Sequence, residues 1–336
     1  MINVGIIGFG YWGPNIVRNI MSIENMKVLQ IADVNNDRLK QANKLYPSVI
    51  LTKDPKNIFE NKKIDAVIIA TPVSTHFELA YNSLCAGKHT LVEKPLASSS
   101  EECLKLIDIA DKNKLVLQVD HTFPYTEAVK KIKFLLKSNS LGNLLYYDSV
   151  RINLGLFQND INVIGDLAIH DLSILDFLMG KQPISIVANG MAHHSGQNEN
   201  IAYVTLIYDD NFIANIHVNW LSPIKIRKIL IGCDKKMIVY NDLEPAEKIK
   251  IYDKGILSQR DSKQTYQMRV GYRLGDVNSP HLENTEALYA VLDHFKNCIS
   301  KQSIPITDGL SGLRVIKIIE AATYSMENSG IPVSIS

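Results

Sequence analysis

Residues 4–13 of the chain read Val4-Gly5-Ile6-Ile7-Gly8-Phe9-Gly10-Tyr11-Trp12-Gly13. A short β-branched run leads straight into glycines at 8, 10 and 13, with a helical stretch at Asn15–Met21 behind them. In a strand–turn–helix of this kind the first glycine permits the tight turn and the second lets backbone amides approach a pyrophosphate. The third lets helix and strand pack closely. The diphosphate then sits at a helix N-terminus, where free N–H groups and the dipole favour an anion. Glycine-rich turns are common, so the acid that follows carries weight. Asp33 closes the next strand in Ile31-Ala32-Asp33, twenty residues beyond Gly13. A carboxylate in that place accepts hydrogen bonds from an adenosine ribose. Asn35 and Asn36 come next, with no Arg beside the acid to hold a 2′-phosphate. The stretch predicts a floor for NAD in preference to NADP.

Outward from this turn, residues 1–120 alternate apolar runs (Val4–Ile7, Val28–Ile31, Ala66–Ile69, Thr90–Val92, Leu115–Val119) with helical stretches (Asp37–Tyr46, His76–Ala86, Ser100–Asn113). That alternation predicts a parallel sheet covered on both faces. Beyond residue 120 the pattern changes to strands in succession, at Leu144–Arg151, Ile184–Ala192, Ala202–Tyr208, Phe212–Trp220, Ile226–Ile231 and Met237–Tyr240. Turn signals at Asp209-Asp210-Asn211 and Gly232-Cys233-Asp234 join some of them as hairpins. Helices at Thr285–Ser300 and Gly309–Asn328 are expected to close this second domain. The reading is an α/β chain: a Rossmann-type domain at 1–120, then an α+β domain at 121–336 with a large, mostly antiparallel, open-faced sheet for substrate binding and oligomerisation.

Composition sets the limits. A chain of 336 residues exceeds one ordinary hydrophobic core, which favours two domains. A formal net charge of +1 gives no basic field for nucleic acid or an anionic membrane. No apolar run reaches the roughly 18 residues that span a bilayer, and the N-terminus lacks a signal peptide's pattern, so a cytoplasmic protein is expected. The four cysteines, at 85, 103, 233 and 298, stand far apart with no CxxC pair. Reduced core thiols are expected, with no metal site.

Three further stretches carry chemistry. Thr71-Pro72-Val73-Ser74-Thr75-His76 and Glu93-Lys94-Pro95 follow strands of the first domain. Both fall at the carboxyl edge where open α/β sheets bind ligands. Lys94 is a candidate for the site and equally an exposed loop charge. In Gly165-Asp166-Leu167-Ala168-Ile169-His170-Asp171, Asp166 and His170 are four apart and share a helix face. The plainer alternative is a capping Asp166 and a satisfied core His170. Tyr11 and Trp12 either cover the cofactor or pack the first helix.

Together, the glycine fingerprint, Glu93-Lys94-Pro95 and the Asp-x-x-x-His of Asp166 and His170 resemble the glucose–fructose oxidoreductase / inositol dehydrogenase / rhizopine catabolism (Gfo/Idh/MocA) family. The likeness covers essentially the whole chain. GFGYWGPNIVRN, RINLG at 151–155, DINVIGDLAIHD at 160–171 and NWLSPIKIRK at 219–228 resemble a branch associated with nucleotide-sugar chemistry, UDP-N-acetylglucosamine 3-dehydrogenases included. One departure is that Asn162-Val163-Ile164-Gly165 stands where many members carry a Gly-rich run.

The resemblance implies an NAD-dependent oxidoreductase acting on a secondary hydroxyl of a nucleotide-linked sugar. It implies that Gly8, Gly10, Tyr11, Trp12, Gly13, Asp33, Thr71, Pro72, His76, Glu93 and Lys94 line the cofactor. Lys94, Asp166 and His170 are implied for catalysis, with either Lys94 or His170 as the base. Lys94, Arg151, Asn153, Asp166 and His170 are expected at the substrate, and Lys225 and Arg227 are a second basic pair suited to a sugar diphosphate. An inositol or free-sugar dehydrogenase, a 3-ketosugar reductase and a non-catalytic dinucleotide sensor are the competing readings. A homodimer or homotetramer through the second sheet is expected, since Ile213, Asn215, His217 and Asn219 form a nearly uncharged outer face.

Overall fold

The computed structural model describes residues 1–155, 161–193, 198–257 and 271–335. Asp160, which opens one of the stretches quoted above, lies outside the described residues. The chain divides into two compact units, one of residues 1–126 with 285–320 and one of 127–284 with 321–336.

The first unit is built on a six-stranded sheet whose pairings are all parallel. Its strands are β1 (Ile2–Ile7), β2 (Met26–Ala32), β3 (Ile50–Thr52), β4 (Ala66–Ile69), β5 (His89–Glu93) and β6 (Leu117–Asp120), in spatial order β3-β2-β1-β4-β5-β6. This is the doubly wound dinucleotide-binding order, and it reverses between β1 and β4. Right-handed crossovers on opposite sides of that point put their helices on opposite faces. α1 (Gly13–Ser22) and α2 (Asn36–Leu45) belong to one side, and α4 (His76–Cys85) and α5 (Ser100–Lys112) to the other, with a short α3 (Lys56–Phe59) after β3.

This winding leaves β4–β6 without a crossover helix on the α1 face. α8 (Ala287–Lys301) fills the vacancy. Leu288, Val291, Leu292 and Phe295 join one core with Ile16, Val17 and Ile20 of α1 and Ala66, Ile68 and Leu91 of the sheet. Arg18 donates to both oxygens of Glu286 at 3.0 and 2.7 Å, and Asn19 donates to the same carboxylate at 3.0 Å, which ties the start of α8 to α1. On the other face Leu313 and Ile316 of α9 (Gly309–Glu327) pack with Cys103, Leu106 and Leu117. The two helices expected to close the second domain thus serve the first unit, α8 wholly and α9 in its opening turns.

In the second unit α6 (Glu127–Lys137) and α7 (Ile169–Met179) accompany a nine-stranded sheet. Its strands are β7 (Leu144–Leu154), β8 (Ser185–Met191), β9 (Ile201–Ile207), β10 (Ile213–Asn219), β11 (Leu221–Cys233), β12 (Met237–Asn241), β13 (Ile249–Tyr252), β16 (Val277–Asn278) and β17 (Val333–Ser334); a separate hairpin pairs β14 (Gly255–Leu257) with β15 (Gly271–Arg273). The large sheet is antiparallel except where β10 runs parallel to β7. Asp210 and Asn211 take left-handed φ of 61° and 57°, as a tight β9–β10 hairpin requires. Phe212, Ala214, Ile216, Val218 and Trp220 are all buried, the inward parity expected of that strand.

Because α8 completes the first unit's core, Phe295→Ala is expected to cost about 3–5 kcal/mol. Urea denaturation followed by loss of NAD binding checks this. A cost below about 1 kcal/mol would mean that α8 is dispensable to the nucleotide-binding fold.

Candidate active site

The glycine turn is dictated by space. Gly8 has φ of +98°, and a Cβ there would stand 2.2 Å from the Ala70 carbonyl oxygen. A Cβ on Gly13 would meet the Gly8 oxygen at 2.8 Å. Gly10 differs: its nearest neighbour would be Arg38 at 3.5 Å, ordinary contact. Among the described residues no protein atom excludes a side chain at Gly10, so its bareness suits a ligand that needs the backbone close. Beside the turn lies a cleft of about 350 Å³ whose lining includes Gly8, Asp33, Arg38, Lys53, Thr71 and Pro72. It sits at the β1/β4 switch point, where this fold binds dinucleotides.

Asp33 is buried and already employed. One carboxylate oxygen accepts from Phe9 N–H at 2.7 Å and the other from Asn35 N–H at 2.8 Å. Arg38, missing from the sequence reading of the adenosine end, stands 3.6 Å from the same carboxylate. The expectation of an acid with no Arg beside it is corrected here. Residue 38 is five positions on, but α2 begins at Asn36, capped by Asn35, and its first turn folds Arg38 back over Asp33. Tyr11 and Trp12 are exposed, their rings edge to face at 5.3 Å, and neither packs the core.

His76 begins α4 and is fully buried. Its Nδ1 lies 2.7 Å from the Pro95 oxygen and its Nε2 2.9 Å from the Thr71 oxygen. Burial holds its pKa below the ordinary histidine value. The ring stands between the loop after β4 and the loop after β5, and in its neutral form it donates its single N–H to one of these two carbonyls. Next to that loop, Glu93 and Asp120 are register partners on β5 and β6, both buried. His121 follows, 1% exposed, and burial and the neighbouring Lys94 charge pull its pKa down to about 3. Sequence reasoning missed Asp120 and His121. The strand-end rule that flagged Glu93 and Lys94 applies equally to the end of β6.

In the second unit Asn162 stands just before the turn that leads into α7. Its side-chain oxygen accepts from Ile164 N–H and Gly165 N–H, both at 3.1 Å. Ile164–Ala168 then form a wide π-helical turn that runs into α7. Such turns are often found at functional sites. Asp166, within it, accepts from Trp220 Nε1–H at 3.0 Å. His170 lies in the first turn of α7, half-buried, and its carbonyl accepts from the Ser173 hydroxyl at 2.8 Å.

The basic residues expected at a diphosphate divide. Arg151 is 2% exposed, and its Nε and Nη2 bind the two oxygens of Asp171 at 2.7 and 3.1 Å. Arg227 pairs with Asp242 at 3.4 Å. Lys225 is exposed on the stretch where the β11–β7 ladder is interrupted, and Asn153 donates to the Leu154 carbonyl at 3.0 Å. No group of His, Cys, Asp or Glu among the described residues is arranged to hold a metal ion, and the four cysteines are free thiols. No described helix is long and apolar enough to cross a membrane.

Fold and site together define a dinucleotide-binding oxidoreductase. Residues 2–121 match the NAD-binding Rossmann-fold domain of the Gfo/Idh/MocA oxidoreductase family, and residues 133–335 match its C-terminal α/β domain. The chain belongs to this family and is an NAD-binding oxidoreductase. A UDP-N-acetylglucosamine 3-dehydrogenase of Acidithiobacillus ferrooxidans is 27% identical over 318 residues, covering 94% of each chain. The solved structure of that enzyme matches this fold with a TM-score of 0.82 at 24% identity, over 97% of this chain and 98% of that one. The NAD(+)-linked scyllo-inositol 2-dehydrogenase of Bacillus subtilis is 24% identical over 349 residues, 99% of this chain and 96% of its own. An oxidoreductase of Agrobacterium radiobacter, solved with NAD+, L-tartaric acid and magnesium, shares the fold at a TM-score of 0.84 and 17% identity, over 99% and 98% of the two chains.

Asp171→Asn removes the bidentate carboxylate from a guanidinium in the second unit's core. It is expected to destabilise the protein by about 3–5 kcal/mol. Paired replacement with Arg151→Met and Asp171→Leu should recover most of that loss. Thermal denaturation of the three variants tests this, and a single variant as stable as wild type would show that the pair is not a buried dependence.

Proposed function

We propose that the protein oxidises a secondary hydroxyl, at C3, of a nucleotide-linked sugar such as UDP-N-acetylglucosamine or its uronic acid. The observation that carries this reading is the relation to a UDP-N-acetylglucosamine 3-dehydrogenase along 94% of both chains. NAD, when bound, supplies the hydride acceptor. The glycine turn, Asp33 and Arg38 are the groups suited to hold it, and the chain's remaining task is the hydroxyl proton. The Lys94 ammonium stabilises the developing alkoxide. His170, a residue type that titrates near neutrality, is the companion acid/base, and Asp166 orients beside it. A second reading, an inositol-type polyol dehydrogenase, is favoured by the ion pairs of Arg151 and Arg227, which occupy two of the basic groups suited to a diphosphate.

A panel of UDP-sugars, free sugars and inositols with NAD separates the two. The expected result is a kcat/KM for UDP-N-acetylglucosamine or its uronic acid well above that for free N-acetylglucosamine, because the diphosphate supplies remote binding energy. Equal values, or a faster inositol, favour the polyol reading. On the best substrate Lys94→Ala and His170→Ala are each expected to lose about 10²–10⁴-fold in kcat while still binding NAD. Near-normal turnover removes that residue from the mechanism.

We further propose a homodimer at least, or a tetramer of two dimers, joined through the open face of the nine-stranded sheet. On that face Asn215 joins Thr205 and Asp148 at 2.9 and 3.1 Å, and His217 stacks on Tyr203 with centroids 4.4 Å apart. Polar groups spent on one another leave a surface with little need of water. Light scattering at micromolar concentration is expected to give at least the dimer mass. Asn215→Lys with Asn219→Glu should weaken association and leave NAD binding intact. A monomer mass for wild type would end the idea.

A further inference from the structure

Three consecutive residues, Asn198-Glu199-Asn200, lead into β9 and touch both sides of the Asp166–Trp220 bond. Toward the turn that carries Asp166, Asn198 Nδ2–H donates to the Ile161 carbonyl at 3.0 Å, and the Glu199 carbonyl accepts from Val163 N–H at 3.0 Å. One Glu199 carboxylate oxygen accepts from Asn162 Nδ2–H at 3.3 Å. Toward the end of β10, the Asn200 carbonyl accepts from Trp220 N–H at 2.9 Å. Asn200 is fully buried, and its own N–H donates to the Met191 carbonyl at 3.0 Å, which fastens the segment to the end of β8. The acceptor and the donor of the Asp166–Trp220 bond are therefore both tied to one short piece of chain.

Asn162 is the joint. Its Oδ1 accepts from Ile164 and Gly165 N–H, both at 3.1 Å, and its carbonyl accepts from Asp166 N–H at 3.1 Å. A side-chain amide has one accepting end and one donating end. With the oxygen turned to two backbone amides, the nitrogen must face an acceptor, and Glu199 supplies it. A π-helical turn is a rare conformation, and the residues that open this one are held by contacts from outside the helix. A rotation of the turn would draw the Asp166 carboxylate away from an indole N–H whose place is set by the end of β10.

We propose that Asn162 and Glu199 are positioning residues for Asp166: their side-chain bond locks the π-helical turn to the segment entering β9 and so keeps the Asp166 carboxylate on the Trp220 indole, in the orientation that substrate meets. The last part rests on the role given to Asp166 under Proposed function, and the lock itself does not.

The chain has two tryptophans, Trp12, 43% exposed, and Trp220, 1% exposed. Proton–nitrogen correlation spectra of the full-length protein labelled at the indoles are expected to show one side-chain signal for each, and Trp12→Phe assigns them. Asp166→Ala marks where the Trp220 signal lies without its acceptor. Asn162→Asp keeps an oxygen for the two backbone amides but turns an acceptor toward Glu199. It is expected to move the Trp220 signal toward that mark and to lower kcat on the best substrate by about 10-fold or more. Adding Glu199→Gln to it re-forms the bond with the donor on the other side, and both readings are expected to recover. Glu199→Ala, which leaves the capping oxygen of Asn162 untouched, should reproduce the displaced signal. A Trp220 signal at the wild-type position in both Asn162→Asp and Glu199→Ala, or no recovery in the double variant, overturns the lock. Near-normal kcat in Asp166→Ala removes Asp166 from the mechanism, and the spectra then decide the lock alone. A large loss in Asp166→Ala beside an unchanged kcat in Asn162→Asp overturns the positioning role.

Discussion

The nucleotide site depends on one steric constraint, the closeness of Gly8 to Ala70 across the switch point. β1 and β4 are neighbours there, and the room between the turn after β1 and the end of β4 admits a hydrogen where any other residue carries carbon. With Gly8 turned at positive φ, its N–H donates to the Ala32 oxygen at 2.8 Å and the next N–H, of Phe9, points at Asp33. The acid usually credited with ribose recognition therefore has an earlier task, clamping the glycine turn to the end of β2. A carboxylate has lone pairs for both duties. Replacing Asp33 consequently changes the shape of the turn as well as the preference for one cofactor over another. Arg38 adds to this, because a cation over the acid lessens its repulsion of a 2′-phosphate.

Buried charge is managed in three chemically different ways. Arg151 and Asp171 form a bidentate pair of opposite charges. His76 and His121 avoid ionisation, since burial disfavours their charged forms. Such histidines bind protons more readily when unfolded. Their contribution to stability is therefore present above the ordinary histidine pKa and fades as pH falls through it toward the depressed folded value. Glu93 and Asp120 are acids whose ionised forms burial disfavours, although Glu93 accepts the Lys94 N–H. Acid and alkali act on these groups with opposite sign: a raised carboxyl loses stability as pH climbs toward about 7 for Asp120, while the histidines gain it over their own lower window.

Much of the first unit is legible in residue order because its signals are local. Continuous apolar runs gave parallel strands, the glycine spacing gave the turn, and twenty residues placed Asp33. Arg38 is not a chain neighbour of the acid, and only a helix begun at Asn36 brings the fifth residue back to it. α8 escaped for a topological reason: a bare sheet face is a property of crossover handedness, and nothing in Thr285–Ser300 says which sheet it will cover. Arg151 is a subtler case. Its parity on β7 is that of the buried Tyr147 and Ser149, which already argues against a solvent-facing phosphate contact. Its partner Asp171, twenty residues away on α7, becomes visible when strand and helix are packed.

The Asp166–Trp220 bond is one that residue types alone do not reveal. In sequence Trp220 is the last of five inward residues on an apolar strand face, a packing residue by every local measure. Its indole N–H must nevertheless find an acceptor once buried, and the end of β10 delivers it to Asp166. The π-helical turn makes the meeting geometric as well as chemical, because Asn162 caps the two amides that open it and the turn presents Asp166 before the regular helix begins. A Gly-rich run in place of Asn162–Gly165 would lack the side-chain oxygen that serves those amides. The departure from the family pattern thus supplies its own support, and Asp166 is held from the sheet side by an aromatic donor.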